Sequence, residues 1–270
     1  VAEDRIGYKF KTNSGWSGEV VEYKNSSNVT ILWQDGSKFV ASWGDIIKGG
    51  IKPLCQPSVA GVGYFGVGRF IPRSYSLVNG KEYYDETIYQ YWQRMINRVY
   101  SERELNRPSG ESYKEASVCD EWHNFQNFAE WALLQSNVGS KDSKGNIYHL
   151  DKDIVKFGNK VYSPEYCVFV PNVINAFFSD KEVGSSGFSG VGVIKPRAEN
   201  HKVGYVSEVD HLGNWKYLGF FDTPEEAFAE YKKAKEAVAK ELISQWDGVV
   251  DSRVIESLRD FRVNPEGFVW

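Results

Sequence analysis

The sequence predicts an α+β protein assembled from several modules, and three observations carry that prediction. Short β-rich runs joined by turn residues fill roughly the first fifty positions. Apolar residues recur at helical spacing in the middle. A pattern of three strands followed by one long helix stands near the carboxy end. With 270 residues the chain is long for one core and sufficient for two or three. The expected division is a small β-barrel over 1–56, a central module of linker, helices and candidate site over 57–185, and a sheet-plus-helix module with a helical tail over 186–270.

Composition limits the function. Hydrophobic residues make up 41% and charged residues 25%, the mean hydropathy is −0.45, and no apolar run nears the roughly 20 residues a membrane helix requires, so no membrane partner is expected. The opening residues, with Asp4 and Arg5 soon after Val1, lack the layout of a signal peptide, and a cytoplasmic protein is expected. Cys55, Cys119 and Cys167 are odd in number and widely spaced, which fits no disulfide framework. A mixed zinc site of Cys119, His123 and Cys167 stands against the commoner arrangement, buried free thiols. The formal charge of −4 means that any contact with phosphate must use local basic patches.

In chain order, Glu19 to Tyr23, Asn28 to Trp33 and Lys38 to Trp43 read as strands, with a turn at Asp35-Gly36. Strands this close together close most simply into a small barrel. Gly61, Gly63, Gly66 and Gly68 form a nominal dinucleotide fingerprint, but Arg69-Phe70-Ile71-Pro72 follows instead of a helix. A flexible linker or glycine-edged strand is the better reading. From Thr87 to Tyr100, Ile88, Tyr91, Trp92, Met95, Ile96 and Val99 share one helical face, while Arg94 and Arg98, four apart, could grip a phosphate backbone from a flank. A second helix is expected from Asp120 to Leu134, with a buried aromatic stripe.

Near the carboxy end, Val191 to Ile194, Gly204 to Val209 and Trp215 to Phe220 read as strands, Gly213-Asn214 turning the second into the third. Thr223 caps and Pro224 opens a helix running toward Leu242. Gly190-Val191, Tyr205-Val206, the run Leu218-Gly219-Phe220-Phe221-Asp222-Thr223-Pro224-Glu225-Glu226-Ala227, and Tyr231 through Ala234 give this segment its character. It resembles the APETALA2 type of DNA-binding domain, found in plant transcription factors and phage homing endonucleases. The resemblance implies a sheet that enters the major groove of double-stranded DNA, with Lys195, Arg197, Lys202, Trp215 and Lys216 as contacts. Glu199, Glu208 and Asp210 are acidic neighbours among them.

The middle of the chain carries His149-Leu150-Asp151-Lys152-Asp153-Ile154, then Gly158-Asn159-Lys160-Val161-Tyr162-Ser163-Pro164-Glu165, then Cys167 to Pro171 and Asn175. This is similar to the bacteriophage branch of the HNH, or ββα-metal, endonucleases. The resemblance implies a hydrolase of DNA phosphodiesters using Mg²⁺ or Mn²⁺, with Asp151 and Asn175 in metal-ligand positions, Asn159 in the orienting position and Lys152 where the general-base histidine stands. A lysine of ordinary pKa, about 10.4, cannot accept a proton at neutral pH. Either its pKa is depressed or another base serves. His149, Asp151 and Asp153 are two apart, so on an extended strand all three would leave one face, His149 as base and the aspartates as ligands. The alternative is a non-catalytic factor that binds DNA or a host protein on the same scaffold.

Overall fold

The computed structural model describes residues 3–71, 75–78, 81–179, 183–195 and 203–270. It is an α+β chain whose packing divides into two units, Val1–Leu134 and Gln135–Trp270.

In the first unit, β1 (Lys9–Lys11), β2 (Ser17–Asn25), β3 (Asn28–Trp33) and β4 (Lys38–Ala41) form an antiparallel meander in that order. The alternation of β3 sends Val29, Ile31 and Trp33 into a core with Val20, against which Phe10, Tyr23 and Phe39 pack. The expected closed barrel is not formed: among the described strands, β1 pairs with β2 alone and β4 with β3 alone. Edge strands of three and four residues are too short to curl round and meet. The last expected strand stops at Ala41 because Ser42 Oγ accepts the Asp45 N–H and starts α1 (Trp43–Lys48), whose Ile46 completes the core.

A hairpin of β5 (Tyr75–Val78) and β6 (Lys81–Tyr84) leads into α2 (Asp85–Tyr100), followed by α3 (Glu102–Leu105), β7 (Ser117–Val118) and α4 (Phe125–Leu133). The buried face of α2 carries Ile88, Trp92, Met95, Ile96 and Val99, as its periodicity requires. The second expected helix is broken: a 3₁₀ turn, Asp120–His123, precedes Asn124, whose side chain caps α4 by accepting the Gln126 N–H at 3.0 Å. Trp92 Nε1 donates to the Trp122 carbonyl at 2.7 Å. The glycine-rich stretch is packed rather than loose. A Cβ on Gly68 would stand 2.3 Å from Gln126 Oε1, and buried Gln126 ties down the Phe70 N–H and the Phe65 and Phe70 carbonyls. Glycine is required there because the backbone must approach that amide closely.

The second unit contains β8 (His149–Asp151), β9 (Val161–Tyr162), β10 (Val168–Val170) and α5 (Asn172–Phe178). A three-stranded antiparallel sheet of β11 (Val191–Ile194), β12 (Gly204–His211) and β13 (Asn214–Phe221) follows. The chain then forms α6 (Pro224–Trp246), α7 (Ser252–Asp260) and a hairpin of β14 (Arg262–Asn264) and β15 (Gly267–Val269). Thr223 caps α6 and Pro224 opens it, as expected, although the helix continues past Leu242. The residues that turn β12 into β13 are Leu212 and Gly213, both at positive φ, while Asn214 already pairs with His211. One core joins Ile154, Val168, Ile174 and Phe178 to Val209, Tyr231 and Leu242, and these to Val254, Phe261 and Phe268. Gly190, at φ 71°, precedes β11 because the buried Tyr231 ring lies where a Cβ would be, 2.3 Å away.

Candidate functional site

Strand β8 pairs antiparallel with β10, Asp151 opposite Val168 and His149 opposite Val170, and α5 follows β10 directly and packs against β8. This is a hairpin followed by a helix, with the loop 152–160 projecting from the end of β8. His149 is exposed, and it shares a strand face with Asp151. The expected third member does not share that face, because β8 ends at Asp151. Asp151 Oδ1 accepts the N–H groups of Asp153 and Ile154, both at 2.9 Å, and turns the chain out of the strand.

The two aspartates nevertheless remain neighbours. Desolvation, then the Asp153 charge and a hydrogen bond between the two carboxyl groups, push the Asp151 carboxyl up to about 7 against the pull of the two N–H donors. Lys152, between them, is only 6% exposed. Its Nζ lies 2.8 Å from Asp153 Oδ2 and 5.8 Å from the centroid of the Tyr162 ring. Asn159 Nδ2 donates to the Lys152 carbonyl and the Val161 carbonyl, each at 2.7 Å. Asn159 therefore ties the backbone at Lys152 to that at Val161. Asn175 is half-buried on α5.

The donor set partly suits a hard cation: two adjacent carboxyl groups repel one another when both are ionised and would be relieved by it. No cluster of three His, Cys, Asp or Glu side chains placed to hold a metal occurs among the described residues. Cys119 and Cys167 form no disulfide; Cys167 is buried, and burial pushes the Cys119 thiol up to about 11.

The expected DNA contacts are dispersed. Arg94 and Arg98 line one cleft of about 210 Å³ with Asn97 and Glu104, and Arg98 also lies over the Tyr113 ring. Arg197 and Lys202 fall outside the described residues, and exposed Lys195 follows β11. On the sheet, Lys216 pairs with buried Val209 and so leaves the face toward α6, at the edge strand. Trp215, paired with Asp210, leaves the opposite, outer face. The two side chains therefore leave opposite faces of the strand, as neighbours on a strand must. Leu218 follows Lys216 by two and packs on the core, and the bulge beside it brings Phe220 round to join Trp215 and Tyr217 outside. Tyr217 was legible from the period of two; Phe220 required the bulge.

The loop is held by residues that no motif announced. Trp270 Nε1 donates to the Ile154 carbonyl at 2.7 Å, with its ring against Phe157 and Phe178. Arg253 pairs with Asp251 and reaches the Glu165 and Cys167 carbonyls. No protein-family model, curated protein or solved structure matches the chain.

Proposed function

We propose that this chain is a phage-type, double-stranded-DNA-binding protein on a ββα-metal scaffold, and that it grips the duplex without hydrolysing it. The observation that carries this reading is the state of Lys152. The residue in the general-base position is buried, clasped at its carbonyl by Asn159 and paired through Nζ with Asp153. A buried side chain whose Nζ is already engaged by a carboxylate presents no basic atom to an attacking water. The phosphate contacts belong to Lys195, Arg197 and Lys202 around the β11–β12 connection and to Lys216 at the sheet edge. A mobility shift over a range of salt tests the binding. Replacing Lys195, Lys202 and Lys216 together by alanine flattens the log–log salt slope by roughly 3, about 0.9 per phosphate. Salt-insensitive or absent binding by the full chain overturns the reading.

The carboxyl pair favours a second reading, a metal-dependent endonuclease or nickase of the homing type. Asp151 and Asp153, with Asn175, would hold Mg²⁺ or Mn²⁺, which when bound supplies Lewis-acid stabilisation of the phosphate. His149, exposed on the Asp151 face, would take the proton from water, and Asn159 would keep the loop in place. Plasmid nicking that requires a divalent cation, and disappears in Asp151→Ala while DNA affinity persists, selects this reading over the first.

A further inference from the structure

The outer face of the β11–β13 sheet has a chemistry that phosphate contacts do not explain. Trp215, Tyr217 and Phe220 are 65%, 59% and 56% exposed. The register sets Asp210 beside Trp215 and Glu208 beside Tyr217 on the middle strand, and Val206 beside Phe220. The Phe220 ring lies over Gly204, where a Cβ would come within 1.9 Å of it, so the face continues toward exposed Ile194 on β11. The result is a column of three aromatic rings along an edge strand, flanked at two successive rungs by carboxylates. Five residues of extended strand separate Trp215 from Phe220, about 17 Å, the reach of about five residues of an extended partner.

A polyanion is repelled by the Glu208 and Asp210 carboxylates. A cationic segment gains twice: guanidinium and ammonium groups lie favourably over aromatic rings and pair with carboxylates. We infer that this outer face is a docking surface for an arginine-rich protein segment, bound by Trp215, Tyr217 and Phe220 and oriented by Glu208 and Asp210. Exposed aromatics of this size, rimmed by charge, mark interaction sites on soluble proteins. The inference goes beyond the DNA-binding reading and does not rest on it; Lys216, assigned to phosphate, leaves the opposite face of the sheet.

The test uses the full chain and a fluorescent Arg-Gly repeat peptide read by anisotropy, with a Glu-Gly peptide of equal length and a labelled DNA duplex beside it. The Arg-Gly peptide binds and weakens with salt, and the Glu-Gly peptide does not bind. Tyr217→Ala with Phe220→Ala weakens the peptide about tenfold while leaving duplex affinity unchanged. Glu208→Gln with Asp210→Asn weakens it by a similar factor and flattens its salt dependence. The same charge change at exposed sites elsewhere, Glu225→Gln with Glu256→Gln, leaves it within about twofold. Thermal unfolding verifies that each variant is folded. Absent peptide binding, an equal loss in the control pair, or an aromatic double variant that loses the duplex instead of the peptide, each overturns the inference. The last outcome would make this the DNA face after all.

Discussion

Replacing Asp151 by asparagine should stabilise the protein, and the amount follows from where the carboxyl sits. Its burial at the end of β8, with Asp153 adjacent, pushes it from an ordinary 3.8 up to about 7. Each decade in an ionisation constant is worth about 1.4 kcal/mol, so holding the ionised form in the fold costs on the order of 4 kcal/mol relative to the unfolded chain. The native carboxyl binds its proton more tightly than the unfolded one. Stability is therefore unaffected below the ordinary value, falls as the pH rises from about 4 to about 7, and carries the full penalty above that. Asparagine keeps an oxygen for the N–H groups of Asp153 and Ile154 and carries no charge. Asp151→Asn should match the native protein at about pH 4 and exceed it by on the order of 2–4 kcal/mol at about pH 8, with a flatter profile between. Urea unfolding followed by circular dichroism at a series of pH values measures this. A variant no more stable at alkaline pH, or one whose profile runs parallel to the native one, refutes the reasoning. If the carboxyl pair takes a divalent cation, millimolar Mg²⁺ raises the native curve at alkaline pH and leaves that of the variant unmoved.

Asn159→Ala removes two donors to loop carbonyls and should cost about 2 kcal/mol in urea unfolding, whereas Asn159→Asp, which faces the same carbonyls with a carboxylate, should cost more. Gly190→Ala drives a methyl group into the buried Tyr231 ring at a positive φ and should lose about 3 kcal/mol or more, seen as a lower urea midpoint with unchanged slope. Trp270→Ala leaves the Ile154 carbonyl without its indole donor and empties a space beside Phe157 and Phe178. A loss of about 2–4 kcal/mol is expected, together with faster amide exchange over residues 152–160.

The elements fixed by local rules were legible from the chain. The span of α2 follows from its apolar period, the start of α6 from Thr223-Pro224, and β3 and β11 from dense β-branched residues bounded by turn formers. These signals are local because hydrogen bonding and side-chain direction repeat within a few residues. Tertiary structure decided whether the N-terminal strands close, since that depends on edge strands too short to meet. It made the glycine-rich stretch a packed loop, because Gln126 lies fifty-eight positions beyond Gly68 and no window contains both. The candidate site divides along the same line. The resemblance singled out Asp151, Lys152 and Asn159, with an extended strand expected to run through Asp153. That Asp151 leaves the strand there, that Lys152 is buried on Asp153, and that Trp270 holds the loop were set by contacts reaching across the unit. Periodicity gave Trp215 and Lys216 opposite directions, but only the bulge at Leu218 assembled the aromatic column, because one extra residue reverses the side on which every later side chain emerges.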